Sequence, residues 1–321
     1  MSATRVGVVG AGTMGAGIAQ LAAQGGLEVT IHDPDAEALE RGAARIREGL
    51  GRLAAGGKIS EGDAAAAEAR VQPAGELGGL QEKIASDQLL VAEQPPGTEP
   101  LARHFPARNR IIAGLAHGTL VIEAAPESLE LKSELFARLE AVCGPEAVLA
   151  TNTSSLSVTA IAAAAERPER IVGMHFFNPP PVMKLVEVVA GEESAEDALA
   201  AATSAAEAMG RTPIRARDAI GFVANRCARP FTLESLRMLG EGVASHEEID
   251  RACRLAGGFR MGPFELMDFV GLDTMLFIAE AMYEETKDPR YAAPPRLRQM
   301  VAAGMMGRKS GRGFYDYRAK G

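Results

Sequence analysis

His175 and Glu187 are the two side chains of this sequence with the clearest capacity for chemistry. They sit in the run Met174-His175-Phe176-Phe177-Asn178-Pro179-Pro180-Pro181-Val182-Met183-Lys184-Leu185-Val186-Glu187-Val188-Val189, where two apolar, β-prone stretches flank a proline-rich centre. Such a segment reads as two short strands joined by a reversal. The pair lies six residues either side of Pro181, so a chain that folds back there brings them opposite each other on neighbouring strands. A buried carboxylate beside an imidazole fixes the ring's tautomer and favours its taking up a proton, as a general base requires. Taken alone, the pair fits a core histidine in a structural ion pair equally well.

A second group lies near the N-terminus. Arg5–Val9 reads as a short strand, followed by Gly10-Ala11-Gly12-Thr13-Met14-Gly15, then by Ile18, Leu21 and Ala22 at helical spacing, then by a second strand ending at His32 and by Asp33. Gly10 permits the tight turn, Gly12 lets backbone approach a pyrophosphate, and Gly15 lets helix and strand pack closely. The helix N-terminus then offers N–H groups and a positive dipole end to the phosphates. Asp33 can accept from a ribose diol and repels a 2′-phosphate, which selects NAD over NADP. Strand, glycines, helix, strand and acid in register make the motif specific.

Two polar positions follow other elements. Ser154, in Thr151-Asn152-Thr153-Ser154-Ser155-Leu156, comes directly after an apolar strand. Its hydroxyl either meets a ligand or caps the helix beginning near Ser157. Asn225, in Gly221-Phe222-Val223-Ala224-Asn225-Arg226, needs a partner if buried, and a substrate carbonyl or a domain interface would supply one.

The elements that must position these groups divide the chain in two. Helical spacings at 14–25, 36–55, 128–142, 157–165 and 196–209 alternate with strands at 71–73, 120–123, 148–151 and 212–215. This alternation predicts an α/β fold: a Rossmann-type, doubly wound, mostly parallel sheet over residues 1–217, with a short antiparallel portion at the hairpin. Residues 218–321 carry helical spacings and form a second, all-helical domain. The composition suits a globular protein, with 47% hydrophobic and 24% charged residues. A net charge of −8 argues against nucleic-acid and anionic-membrane partners. No apolar run is long enough to cross a bilayer and the chain does not open like an export signal, so the cytoplasm is the expected compartment. Cys143, Cys227 and Cys253 are odd in number and lack metal spacing, which fits buried thiols in a reducing compartment and no metal.

These stretches together resemble the 3-hydroxyacyl-CoA dehydrogenase family, and most of all its bacterial 3-hydroxybutyryl-CoA members. The resemblance rests on residues 10–20, 120–127, 152–156, 173–189 and 221–226, with Met261-Gly262-Pro263-Phe264-Glu265-Leu266 and Gly307 through Tyr315 continuing it in order. It implies NAD-dependent oxidation of an (S)-3-hydroxyacyl-CoA, or the reverse, by a homodimer formed through the helical domain. It implies that His175 takes the proton from the 3-hydroxyl, that Glu187 orients that imidazole, that Ser154 hydrogen-bonds the reacting oxygen, and that Asn225 lies near substrate and histidine. By the same resemblance Asp33 binds the ribose, and Glu127, Lys132, Asn178 and Lys309 lie near the cofactor. Two readings stay open beside it: a dehydrogenase of a non-CoA hydroxy acid such as a gulonate, and an NAD-binding structural protein whose catalysis is impaired.

The handle for acyl-CoA is expected between Arg41 and Lys58, where five basic residues (Arg41, Arg45, Arg47, Arg52, Lys58) face one acid, Glu48. Such a stretch either docks coenzyme A phosphates or forms a solvated helix face. The resemblance assigns Lys58 to the acyl-CoA, whereas Gly49 stands where the family carries a serine. Residues 80–117 form an insertion with Pro95, Pro96, Pro100 and Pro106. They are expected to make a surface excursion away from the site, with Leu89–Val91 anchored at the sheet's edge.

Overall fold

The structure is a computed structural model that describes residues 5–9, 11–33, 35–73, 89–92, 120–124, 127–142 and 147–318. The chain divides into two compact units, Met1–Asp218 and Ala219–Gly321.

In the first unit the described residues form one sheet ordered β3-β2-β1-β4-β5-β6-β7-β8-β9. Its strands are β1 (Arg5–Val9), β2 (Glu28–His32), β3 (Val71–Pro73), β4 (Leu89–Ala92), β5 (Leu120–Glu123), β6 (Val148–Thr151), β7 (Ile171–Phe176), β8 (Leu185–Ala190) and β9 (Thr212–Arg217). Only β7 and β8 pair antiparallel. The order β3-β2-β1-β4-β5-β6 is that of dinucleotide-binding sheets, with the reversal between β1 and β4. Helices α1 (Thr13–Gln24), α2 (Ala36–Ala55), α3 (Glu61–Ala69), α4 (Leu129–Val142), α5 (Val158–Ala162) and α6 (Glu196–Ala208) accompany it. β5 and β7 are buried along their whole length, as strands covered on both faces must be. α1 buries every residue from Gly15 to Ala23; its small side chains let it lie close to the sheet.

Two elements depart from the sequence reading. Leu89–Ala92 is not an edge anchor but a central strand between β1 and β5. A four-residue apolar run carries no period to separate a buried strand from a surface patch, and only pairing decides. The stretch 80–117 is therefore not one excursion, and its residues other than 89–92 lie outside those described. α3 was not expected, because its apolar spacing is weak. Ser60 and Asp63 start it with a capping box, a signal that was legible.

The second unit contains α7 (Ala224–Gly240), α8 (His246–Gly257), α9 (Pro263–Val270), α10 (Leu272–Thr286) and α11 (Pro295–Ala302), and no strand among its described residues. Leu233, Leu236, Ile249, Phe264, Met267, Leu272, Met275 and Leu297 fill its core. Two buried carboxylates tie the C-terminal segment down. Asp268 accepts from the N–H groups of Phe314 and Tyr315 and from the Tyr317 hydroxyl, and Asp250 accepts from the Tyr315 hydroxyl and the Phe264 and Glu265 N–H groups. Burial pushes the Asp250 carboxyl up despite these donors. The stretches 261–266 and 307–315 thus meet in a structural clamp. Cys227 is exposed and Cys253 partly so, contrary to the expected buried thiols, because Cys227 falls on a face of α7 away from its core stripe; Cys143 lies outside the described residues.

Candidate active site

The hairpin forms as its sequence requires. β7 and β8 pair with His175 opposite Glu187, and His175 Nδ1 lies 2.7 Å from Glu187 Oε2. Both are buried, His175 at 4% exposure and Glu187 at 0%. A carboxylate only accepts, so Nδ1 carries the ring proton and Nε2 presents its lone pair. The connection carries Asn178, which is exposed. Pro180 and Pro181 press against α1, where a Cβ on Gly17 would lie 3.2 and 3.1 Å from their ring carbons. Gly17 therefore lets the histidine hairpin approach the dinucleotide helix, a role not read from the sequence.

The loop after β6 is fixed beside this pair. Asn152 Oδ1 accepts from the Phe176 N–H at 2.8 Å, one residue beyond His175. Ser157, not Ser154, caps α5. Ser154 donates its N–H to Glu127, and its hydroxyl has no hydrogen-bond partner among the described residues. Glu127 organises the loop: Oε1 accepts from the Thr153 hydroxyl (2.6 Å), the Ser154 N–H (2.9 Å), and the Ser155 N–H and hydroxyl (3.0 Å each). Lys132, fully buried, lies 2.8 Å from Glu123 Oε1 and 3.6 Å from Glu127 Oε2, and Thr151 donates to the other Glu123 oxygen. Burial pushes the Glu127 carboxyl up, but Lys132 and the donors from Thr153, Ser154 and Ser155 outweigh it and hold it below its ordinary value. Glu123 and Asn152 were missed; an acid closing an otherwise apolar strand was the available signal for Glu123.

After β1, Gly12 caps α1, with no side-chain cap and no acid in the first turn, which begins with Thr13, Met14 and Gly15. Asp33, 2% exposed, accepts from the Ala11 N–H at 2.8 Å and the Asp35 N–H at 3.0 Å, so it also braces the glycine turn. Gly10 lies outside the described residues. An uncapped helix N-terminus beside a buried acid matches the donors and acceptor that a dinucleotide needs. Among the described residues no group of His, Cys, Asp and Glu is arranged to hold a metal ion, and no helix is long and apolar enough to cross a membrane.

The basic segment lies on α2 and the turn after it. Arg41 pairs with Asp35 and Glu37, and Arg52 with Glu48, while Lys58 is exposed. Gly49 faces α1: a Cβ there would stand 2.2 Å from Gln20 Oε1, so a serine would have to displace that amide. In the second unit Asn225 is buried on the first turn of α7, after a turn in which Gly221 and Phe222 take left-handed backbone (φ 70° and 45°). Lys309 pairs with Asp273 at 2.5 Å.

A family model described as the 3-hydroxyacyl-CoA dehydrogenase NAD-binding domain matches residues 5–94 and 107–219, and one described as the 3-hydroxyacyl-CoA dehydrogenase C-terminal domain matches residues 221–317. The chain belongs to the 3-hydroxyacyl-CoA dehydrogenase family. The family's first domain includes β4, and its match breaks only between 94 and 107, which narrows the expected insertion. Among relatives, a probable 3-hydroxybutyryl-CoA dehydrogenase of Deinococcus radiodurans is 39% identical over 98% of this chain and 100% of its own. A 3-hydroxyadipyl-CoA dehydrogenase of Escherichia coli is 41% identical over 98% of this chain and 59% of its own. The crystal structure of (S)-3-hydroxybutyryl-CoA dehydrogenase from Ralstonia eutropha superposes with a TM-score of 0.82 at 38% identity, covering 98% of this chain and 99% of its own. A model for DNA recombination-mediator protein A also matches residues 66–141, a stretch holding neither His175 nor Glu187.

Proposed function

We propose that this protein interconverts (S)-3-hydroxyacyl-CoA and 3-oxoacyl-CoA with NAD(H), acting on short chains such as 3-hydroxybutyryl-CoA. The observation that carries the reading is the buried His175–Glu187 pair, with its second ring nitrogen presented as a base. His175 Nε2 takes the proton from the 3-hydroxyl as the alcohol is oxidised and returns it in reduction. Glu187 holds the tautomer and stabilises the imidazolium as it forms. The Ser154 hydroxyl hydrogen-bonds the reacting oxygen, whose charge grows in the transition state, and Asn225, by the family resemblance, lies near the substrate. When bound, NAD supplies the hydride acceptor. The N–H groups at the start of α1 hold its pyrophosphate and Asp33 its ribose, which favours NAD over NADP. Glu127 and Lys132 set the β6 loop beside the cofactor, with Asn178 and Lys309 as further contacts, and Arg52 and Lys58 meet the coenzyme A phosphates.

The setting of this reading is a homodimer in the cytoplasm, joined through the helical unit. Supporting the dimer, that unit exposes Val243, Leu255, Phe259, Phe269 and Phe277, a concentration of apolar surface that suits a subunit contact. The test is NADH oxidation with acetoacetyl-CoA, acetoacetate and dehydrogulonate. Turnover of acetoacetyl-CoA alone is expected; turnover of a free acid without the CoA ester overturns the substrate class, and turnover of none overturns the enzyme.

A further inference from the structure

α7 carries a buried cation on the face that holds Asn225. Asn225 and Arg229 stand one helical turn apart, about 6 Å along the axis at 1.5 Å per residue, and share one side of the helix. Both are buried, Arg229 at 5% exposure. The same stripe continues as Thr232, Leu233 and Leu236, the two leucines belonging to the unit's apolar core. Among the described residues of this unit no carboxylate pairs with Arg229: its Nε has no hydrogen-bond partner, and its Nη1 faces only the thioether of Met275 on α10. Burial pushes the guanidinium pKa down to about 10. A buried charge is strongly unfavourable without a partner, a thioether is a weak acceptor, and a carboxylate satisfies a guanidinium bidentately.

We propose that Arg229 receives the terminal carboxylate of a dicarboxylic acyl chain, so that the site prefers 3-hydroxyacyl-CoA esters ending in a carboxylate, such as 3-hydroxyadipyl-CoA, to those ending in methyl. The proposal rests on the reading in which Asn225 meets the substrate near C3. From there an acyl chain running along α7 covers the turn to Arg229 in a few carbon–carbon bonds, so an adipyl chain reaches the guanidinium and a butyryl chain ends short of it. The core stripe supplies the reason for the strength of the preference: a methyl terminus would leave the buried charge unpaired, whereas a carboxylate terminus neutralises it.

The test measures kcat and KM with NADH for 3-oxoadipyl-CoA, the equal-length 3-oxohexanoyl-CoA and acetoacetyl-CoA, in the full chain and in its Arg229→Met and Arg229→Lys variants. The unaltered protein is expected to favour 3-oxoadipyl-CoA over 3-oxohexanoyl-CoA at least tenfold in kcat/KM, about 1.4 kcal/mol. Arg229→Met, similar in volume and uncharged, should raise KM for 3-oxoadipyl-CoA at least tenfold and reverse the preference toward 3-oxohexanoyl-CoA; Arg229→Lys should keep part of it. Equal values for the two esters in the unaltered protein overturn the proposal, while turnover of acetoacetyl-CoA leaves the parent reading standing. Turnover of none of the three overturns both. A Met variant that loses activity on all three esters alike and sediments as a smaller species assigns Arg229 to a subunit contact, which also overturns it.

Discussion

Replacing Glu187 with glutamine removes the charge of a fully buried carboxylate and little of its volume. Glu187 is 0% exposed and 2.7 Å from His175 Nδ1, so water cannot stand in for what is lost. That charge counts most when His175 has taken the substrate proton and is an imidazolium. A hydrogen bond to a charged group contributes about 1.5–3 kcal/mol, and losing that at the transition state lowers kcat about 10- to 150-fold. If the amide instead turns its NH₂ toward the ring, the tautomer reverses, and the loss moves toward the roughly 10⁴-fold known for an aspartate-to-asparagine change in a serine-protease triad. The assay is steady-state NADH oxidation with acetoacetyl-CoA, with NADH affinity from fluorescence titration and folding from thermal melts. NADH affinity should hold within about threefold, under 1 kcal/mol. His175→Gln should lower kcat about 10²–10⁴-fold. The double variant should be no slower than His175→Gln, because Glu187 acts through the histidine. A Glu187→Gln enzyme with kcat within about threefold of the parent, or losses that multiply in the double variant, would refute this account.

NAD should exceed NADP at least tenfold in kcat/KM, about 1.4 kcal/mol, because Asp33 meets a 2′-phosphate unfavourably; Asp33→Ser should narrow the ratio and, by releasing the Ala11 N–H, weaken NAD as well, and an unchanged ratio removes the acid from this role. Arg52→Ala with Lys58→Ala should raise KM for acetoacetyl-CoA and weaken its salt dependence, since exposed charge contacts are screened; an unchanged KM makes this stretch a solvated helix face. The lowered Glu127 carboxyl contributes stability that is complete above its ordinary value of 4.5 and is lost as pH falls through its lower folded-state value. Glu127→Gln should therefore flatten the acid side of a plot of urea midpoint against pH, and an unaltered slope counts against the cradle around it. Gly313→Ala places a Cβ 1.9 Å from Asp268 Oδ1, so unfolding should become easier by at least about 1–3 kcal/mol in urea titration; a variant as stable as the parent would mean the C-terminal clamp yields freely.

Local pattern carried much of this protein. Gly12, Gly15 and Asp33 declare their turn, helix and acid within one short stretch, because each follows from backbone conformation or from neighbours a few residues away. The hairpin was legible for the same reason: alternation around Pro181 sets the register, and register alone puts His175 opposite Glu187. What the chain's own pattern left open depended on partners far along it. Leu89–Ala92 is apolar without period, and becomes a central strand only because β1 and β5 leave that place between them. Glu123, Lys132 and Glu127 are ordinary charges in sequence; burying them together turns them into the cradle of the β6 loop, since a buried charge persists only when paired. Gly49 stands where the family carries a serine, and only tertiary packing shows that it faces Gln20 on α1. Arg229 reads as one more basic residue on a helix, and only tertiary packing shows it buried beside a thioether, with no counter-charge among the described residues of its unit. Periodicity and caps are encoded by near neighbours, whereas burial and the pairing of charge are set by which distant segments meet.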